Sequence, residues 1–241
     1  HRDLHSFPTR RSSDLTLGLR HNFRASAYFD LDEINSEEVK GKEPWSMSVM
    51  DYNGVNIRMP GSGEIQGDYS VIDIGPYDMW AIEYGYGSGD PAKVAEKASD
   101  PRLNYGTDED TWGPDPRDRR YDLSADPLDY AKNQMELVTA LRTSLLKDYV
   151  EDGESWSQVS RDYRIAQGQH VSAGSMMANW FGSAYVSRAK KGQPDSGEPM
   201  QIVEAEKQRD ALRFVVENTF RDEAFGITPE LLSYMTVDKW W

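Results

Sequence analysis

The chain contains no cysteine, only 4 histidines among 241 residues, and no apolar run long enough to cross a bilayer. Without cysteine there is no disulfide framework, no thiolate zinc site and no thiol nucleophile, so any metal must sit on His, Asp, Glu or Tyr. Basic residues are also short: 27 Lys and Arg stand against 41 Asp and Glu, a net charge of -14. That balance excludes nucleic acid and anionic membrane surfaces as partners, because both would be repelled. Membrane insertion is not expected, and the N-terminus lacks the apolar core of a signal peptide. A phosphate-binding loop, a nucleophile elbow, a dinucleotide fingerprint and an internal repeat are all missing. What remains is enough for a folded core, with 38% hydrophobic residues that include 7 Trp and 13 Tyr.

Residues 1–15, HRDLHSFPTRRSSDL, show hardly any apolar periodicity and run directly into the patterned stretch TLGLRHNFRAS. The part SFPTRRSSDL resembles an in-frame translation of a sequencing adapter. The expectation is therefore that residues 1–15 are an artefact and that the natural protein starts its readable part inside a helix, at Thr16. His1 and His5 form an H-x-x-x-H pair, but Arg2 stands between them and both lie in this stretch, so chance accounts for the spacing.

Thr16 to Phe23 reads TLGLRHNF, with Gly18 and His21 in a G-x-x-H spacing, and Ser48 to Tyr52 reads SVMDY. Together these resemble the second half of the zinc signature H-E-x-x-H-x-x-G-x-x-H and the Met-turn of the metzincins, most closely the EcxA-like zinc-binding (Met-zincin) family of bacterial metalloproteases. The resemblance implies zinc as cofactor, His21 as the third metal ligand, Gly18 as the turn that lets the chain bring it round, and Met50 as a soft apolar base under the ligands. It implies for Tyr52 a catalytic role as zinc ligand or hydrogen-bond donor to the developing oxyanion. Asp51 is expected to orient the turn. Carried back in register, the first two ligands and the general base fall on positions 11, 15 and 12, where the chain has Arg11, Leu15 and Ser12. None of these can do the work, so the chain as it stands is expected to be inactive and to bind zinc weakly if at all.

Gly75 to Tyr86, GPYDMWAIEYGY, predicts a helix with Pro76 at its first position and Asp78 in the first turn, where the helix dipole favours it. It resembles the closing helix of metzincin catalytic domains. Asn53 to Ser70 reads as loop. The stretch 88–126, rich in Asp, Pro, Arg and Gly, reads as an acidic irregular connector, and Asp108, Glu109 and Asp110 as a solvated acidic run without the pattern of a calcium loop.

After Asp126-Pro127, Leu128, Ala131, Met135, Val138, Leu141, Leu145 and Tyr149 recur at helical spacing. Further helices are predicted from about Ser155 to Arg188, broken or bent near Gly168, Gly174 and Gly182, from Val203 to Phe220, and from Pro229. His170, Met176, Met177 and Trp180 are expected as core, with no metal on His170.

The expected fold is α+β and mostly α-helical: the C-terminal part of a metzincin catalytic domain over residues 16–87, the connector over 88–126 and a helical domain over 127–241. The expected function is a zinc metallopeptidase acting on protein or peptide, with an alternative reading as a non-catalytic helical interaction module and a third as a calcium-bound structural domain. For the intact parent the resemblance implies a secreted or periplasmic location.

Overall fold

The computed structural model describes residues 14–61, 65–192 and 197–239. Helix makes up 47% of the structure and the described residues hold two strands, an α+β chain that is mostly helical. Contacts divide it into two compact units, one of residues up to Tyr130 with Gly182–Glu204, the other of Ala131–Phe181 with Ala205 onward. The units interleave along the sequence, where composition suggested consecutive segments.

In the first unit the helices are short: α1 Leu31–Ile34, α2 Pro76–Tyr86 and α3 Pro91–Ala95. α1 begins with a capping box, Asp30 accepting from the Asp32 and Glu33 amides while Glu33 reaches back to the Asp30 amide. Much of the rest is irregular, yet it is not loose, because side chains do the work of a strand ladder. Asn35 and Asn56, both buried, exchange amide hydrogen bonds of 3.1 and 3.0 Å, and Asn35 also accepts from Gly67 N–H at 2.7 Å. This pairing ties Asn35, at the end of α1, to Asn56 and Gly67. In the same unit Phe23, Ile34, Trp45, Val49, Met50 and Leu123 are fully buried.

The stretch 88–126 was expected to be an acidic irregular connector. It carries α3 and three single turns of 3-10 helix, at Glu96–Ser99, Pro101–Leu103 and Asp110–Trp112, and it buries Leu103, Asp115, Asp118, Asp122 and Leu123. Arg24 organises part of it. Its Nε donates to Asp118 at 2.8 Å, and its Nη2 lies 3.1 Å from Asp115, which also accepts from Arg117 and from Val186 N–H. The last bond ties in strand β1, Ala184–Val186, which pairs antiparallel with β2, Met200–Ile202, in the register Ala184 to Ile202. Asp122 is also buried, and burial together with the charge of Asp51 pushes its carboxyl well above the usual range.

In the second unit α4 spans Pro127–Asp148, its first residues falling with the first unit, α5 spans Ser157–Ala178, α6 Ala205–Thr219 and α7 Pro229–Tyr234. Asp126 caps α4 by accepting from Leu128 N–H at 3.1 Å. Leu145, Val159, Tyr163 and Leu231 form the buried centre on which Leu141, Leu146, Val150, Tyr234 and Met235 pack.

The helix expected over Ser155 to Arg188 ends ten residues early, at Ala178, and it does not break at Gly168 or Gly174. Gly in a helix costs roughly 1 kcal/mol, which burial of one face outweighs. At Gly174 a Cβ would meet the Thr219 methyl on α6 at 2.9 Å, so the glycine admits a close approach of the two helices. Gly182, at φ +74°, then turns the chain into β1.

His170 is fully buried on α5. Its ring stacks on Phe225 at 4.9 Å, its Nδ1 lies 3.0 Å from Arg142 Nη1, and its Nε2 faces the Asn218 carbonyl. Arginine can only donate, so Nδ1 accepts and Nε2–H donates, which is the neutral ring. Arg142 also donates to the Ala224 carbonyl at 2.9 Å and lies over the Tyr163 ring, whose hydroxyl donates to the Phe225 carbonyl. The expectation of a core position for His170 agrees with this burial.

Burial pushes His170 below its usual 6.5, with the Arg142 charge acting the same way against the Asn218 hydrogen bond. A folded-state pKa below the unfolded one means the unfolded chain takes up the proton first. The stabilising contribution is therefore whole above 6.5 and is lost as pH falls below it. Thermal melts between about pH 7.5 and pH 5.5 are expected to show a falling midpoint, and His170→Gln to flatten that slope. An unchanged slope in the variant would assign the acid sensitivity elsewhere.

Candidate functional site

Residues 14–16 are helical, and Gly18 follows in the left-handed conformation at φ +84°. Leu17 and Leu19 amides both donate to the Asp14 carbonyl at 3.1 Å, and Gly18 N–H to that of Leu15 at 3.0 Å. A Cβ at Gly18 would touch nothing, so the need for glycine is conformational rather than steric. This is the turn the G-x-x-H spacing calls for.

Past the turn, His21 arrives next to the Met-turn. Its neighbour Asn22 donates its backbone N–H to the Met50 carbonyl at 3.2 Å. The Asn22 side chain, fully buried, donates to the Asn104 carbonyl at 2.9 Å and accepts from Gly106 N–H at 3.1 Å. His21 is half-buried, its ring 5.0 Å from that of Tyr52 and 5.2 Å from that of Phe23. Tyr52 in turn stacks on Phe23 and on Tyr121. Met50 is wholly buried and Asp51 accepts from Ser26 N–H at 3.0 Å, which orients the turn.

The Met-turn is gripped from α2. Asp78 is fully buried and accepts from three donors: the Ser48 hydroxyl, the Val49 amide at 2.8 Å and the Gly75 amide at 3.0 Å. Ser48 Oγ accepts in turn from Met50 N–H at 3.0 Å. Gly75 abuts the Met47 carbonyl and the Ser48 amide so closely that a Cβ would overlap both. At the far end of α2 the Tyr86 hydroxyl donates to the Leu17 carbonyl at 2.8 Å, so one helix touches both the Met-turn and the Gly18 turn. Burial raises the Asp78 carboxyl above its usual range while the three donors oppose the shift. Buried Asp14 is pushed up to about 6, by burial and then by the Asp78 charge.

The acidic run is partly exposed to solvent, as expected, and is also paired with cations. Asp108 Oδ2 lies 2.9 Å from His21 Nδ1 and its Oδ1 accepts from Arg120 at 2.9 Å. Glu109 pairs with Arg20 at 2.6 Å and Asp110 with Arg188. Burial alone would raise the Asp108 carboxyl, but the His21 hydrogen bond and the surrounding cations outweigh it and hold it below the usual range. Sequence reasoning passed over Asp108 as a site residue; the signal available was only its place in a charged run 87 residues from His21.

A sequence model of the Met-zincin family matches residues 15–240. The chain belongs to the Met-zincin family. Among curated proteins and among solved structures nothing matches. Membership makes this a metallopeptidase-type domain of a family that uses zinc and acts on protein or peptide, and among the described residues no helix is long and apolar enough to cross a membrane.

The donors this Met-zincin chain offers can be set against that metal. His21 suits a ligand, with Nδ1 engaged and Nε2 left over. Leu15, at the second ligand's place, is half exposed and has no lone pair. Positions 11 and 12 lie outside the described residues, as do His1 and His5, and Arg11 and Ser12 are not ligands in any placement. No three His, Asp or Glu side chains converge among the described residues. The donor set does not fit a three-histidine zinc site.

Asp78 is the group whose loss should be felt most. Asp78→Ala leaves two buried amides and a hydroxyl without an acceptor, and a loss of about 3 kcal/mol is expected in urea unfolding. A loss under about 1 kcal/mol would mean the Met-turn is held by apolar packing instead.

Proposed function

We propose that the chain carries the Met-turn half of an EcxA-like zinc metallopeptidase site, with His21 as third metal ligand, and that it does not catalyse with the residues it has at 11, 12 and 15. The observation that carries the reading is the convergence of the Gly18 turn, His21 and the buried Met50, joined through the Asn22 to Met50 backbone bond, inside a chain matched by the family almost throughout. Two motifs 32 residues apart by numbering, Gly18 and Met50, have no reason to meet around a histidine in a purely helical interaction module.

In this reading Tyr52 stands beside the reacting carbonyl oxygen of a bound peptide. Its ring is 5.0 Å from His21 and its face is packed by Phe23 and Tyr121, which restricts the ring to one orientation. Such preorganisation is what a donor to a developing oxyanion needs, since charge stabilisation counts only where it appears in the transition state. Residues 1–15 are read as foreign, adapter-derived sequence, which accounts for Arg11, Ser12 and Leu15 at positions where the family signature demands His, Glu and His. The parent enzyme is read as an envelope or secreted bacterial protein.

One observation favours the interaction-module alternative: Leu212, Val216 and Phe220 follow one another at helical spacing along and just past α6, and all are exposed. The two readings part on metal binding. Calorimetric zinc titration of the unaltered chain is expected to give no tight site, and the triple variant Arg11→His, Ser12→Glu, Leu15→His to take up one zinc ion that His21→Ala removes. A triple variant with an unchanged helical spectrum and no zinc uptake would overturn the ligand role of His21 and move the interaction module ahead.

A further inference from the structure

A histidine that ligates metal through one ring nitrogen needs the other nitrogen held, or the ring spends part of its time in the wrong tautomer and orientation. His21 has such a hold. Its Nδ1 lies 2.9 Å from Asp108 Oδ2, and an ionised carboxylate can only accept, so Nδ1 must carry the proton. In the neutral ring the lone pair is then on Nε2.

The carboxylate is itself held from several sides. Arg120 donates to Asp108 Oδ1 at 2.9 Å, so each oxygen has its own partner, and the same guanidinium lies 4.8 Å from the centre of the Phe23 ring. The Asp108 backbone sits in a tight turn: the Asp110 amide donates to the Thr107 carbonyl at 2.9 Å, Asp110 Oδ2 accepts from Thr107 N–H at 2.8 Å, and the Thr111 hydroxyl donates to the Asp108 carbonyl at 2.7 Å. The Phe23 and Tyr52 rings flank the imidazole at 5.2 and 5.0 Å, which limits its rotation.

From this geometry we infer that Asp108 is the positioning residue of the site: it fixes His21 as the Nδ1–H tautomer and leaves Nε2 as the atom with the lone pair. The inference rests on His21 being the metal ligand for its purpose, but not for its test. The tautomer is a property of the chain without metal.

Asp108→Asn is a sharper probe than a simple deletion. Arg120 has donors only, so the introduced amide must turn its oxygen to Arg120 and its NH2 toward His21. Nδ1 then has to accept, and the proton moves to Nε2. The substitution changes one heavy atom and should reverse the tautomer.

The experiment is a two-bond nitrogen-to-proton correlation spectrum of the imidazoles in the metal-free full chain, at about pH 8, where the spectrum also separates neutral from doubly protonated rings. With 4 histidines in the chain, His21→Ala identifies the signal. The expected result is Nδ1–H in the unaltered chain and Nε2–H in D108N, with D108A, which has no acceptor, no longer confined to Nδ1–H. Nε2–H in the unaltered chain overturns the inference outright, whether or not the variants fold. Nδ1–H retained in D108N or D108A overturns it as well, since something other than Asp108 would then set the ring.

In the R11H/S12E/L15H chain, D108N is further expected to weaken zinc binding by roughly tenfold to a hundredfold, as loss of a ligand's orienting partner does. Undiminished affinity there overturns the positioning role. If the triple variant binds no zinc at all, the metallopeptidase reading fails while the spectra still decide the role of Asp108.

Discussion

A single buried carboxylate organises the first unit. Asp78, in the first turn of α2, accepts from Ser48, Val49 and Gly75, and so joins a helix start to a turn about thirty residues earlier in the chain. A charge in such a place is costly, which is why burial raises its carboxyl. Three donors, two of them backbone amides with no other acceptor, offset that cost, and removing the acceptor would expose it again. Met50 is buried in the turn that this grip holds, and Gly75 has to be glycine because any side chain would run into the backbone that Asp78 draws close.

His21 depends on that grip at one remove. The Asn22 amide reaches the Met50 carbonyl, and the Asn22 side chain reaches Asn104 and Gly106, so the histidine's segment is pinned between the Met-turn and the stretch that follows α3. The same stretch delivers Asp108 to the ring. Two separate lines of hydrogen bonds therefore meet at His21, one from the turn that places its backbone and one from the loop that faces its side chain.

How much of this could be read beforehand follows from the range of each interaction. α4 was legible because Leu128, Ala131, Met135 and Leu145 repeat at the helical period and Asp126-Pro127 marks the start; α2 was legible because Gly75, Pro76 and Asp78 mark its beginning. Gly18, His21 and Met50 were legible through a motif. The grip of Asp78 was not, since a first-turn acid serves a helix equally well from the surface and nothing in the sequence says that it is buried. Asp108 was hidden for a related reason: an acidic run usually faces water, and its partners Arg20, His21 and Arg120 are brought to it only by the fold. The end of α5 was missed because Gly168 and Gly174 look like breaks, whereas Gly174 is a contact point; strands of three residues, as at Ala184–Val186, carry too little alternation to be seen.

Many small metal-binding domains use the ion to hold the fold, and losing ligands there means losing structure. The first unit is built otherwise. Its turn geometry rests on Asp78, Asn22 and the Asn35 to Asn56 pair, all of them protein-to-protein hydrogen bonds, and its core on Phe23, Trp45 and Met50. Leu15, at the position proposed for a second ligand, lies half exposed and contributes nothing to that core. The segment that carries His21 is placed by bonds from Asn22 to Met50, Asn104 and Gly106, all made within the first unit.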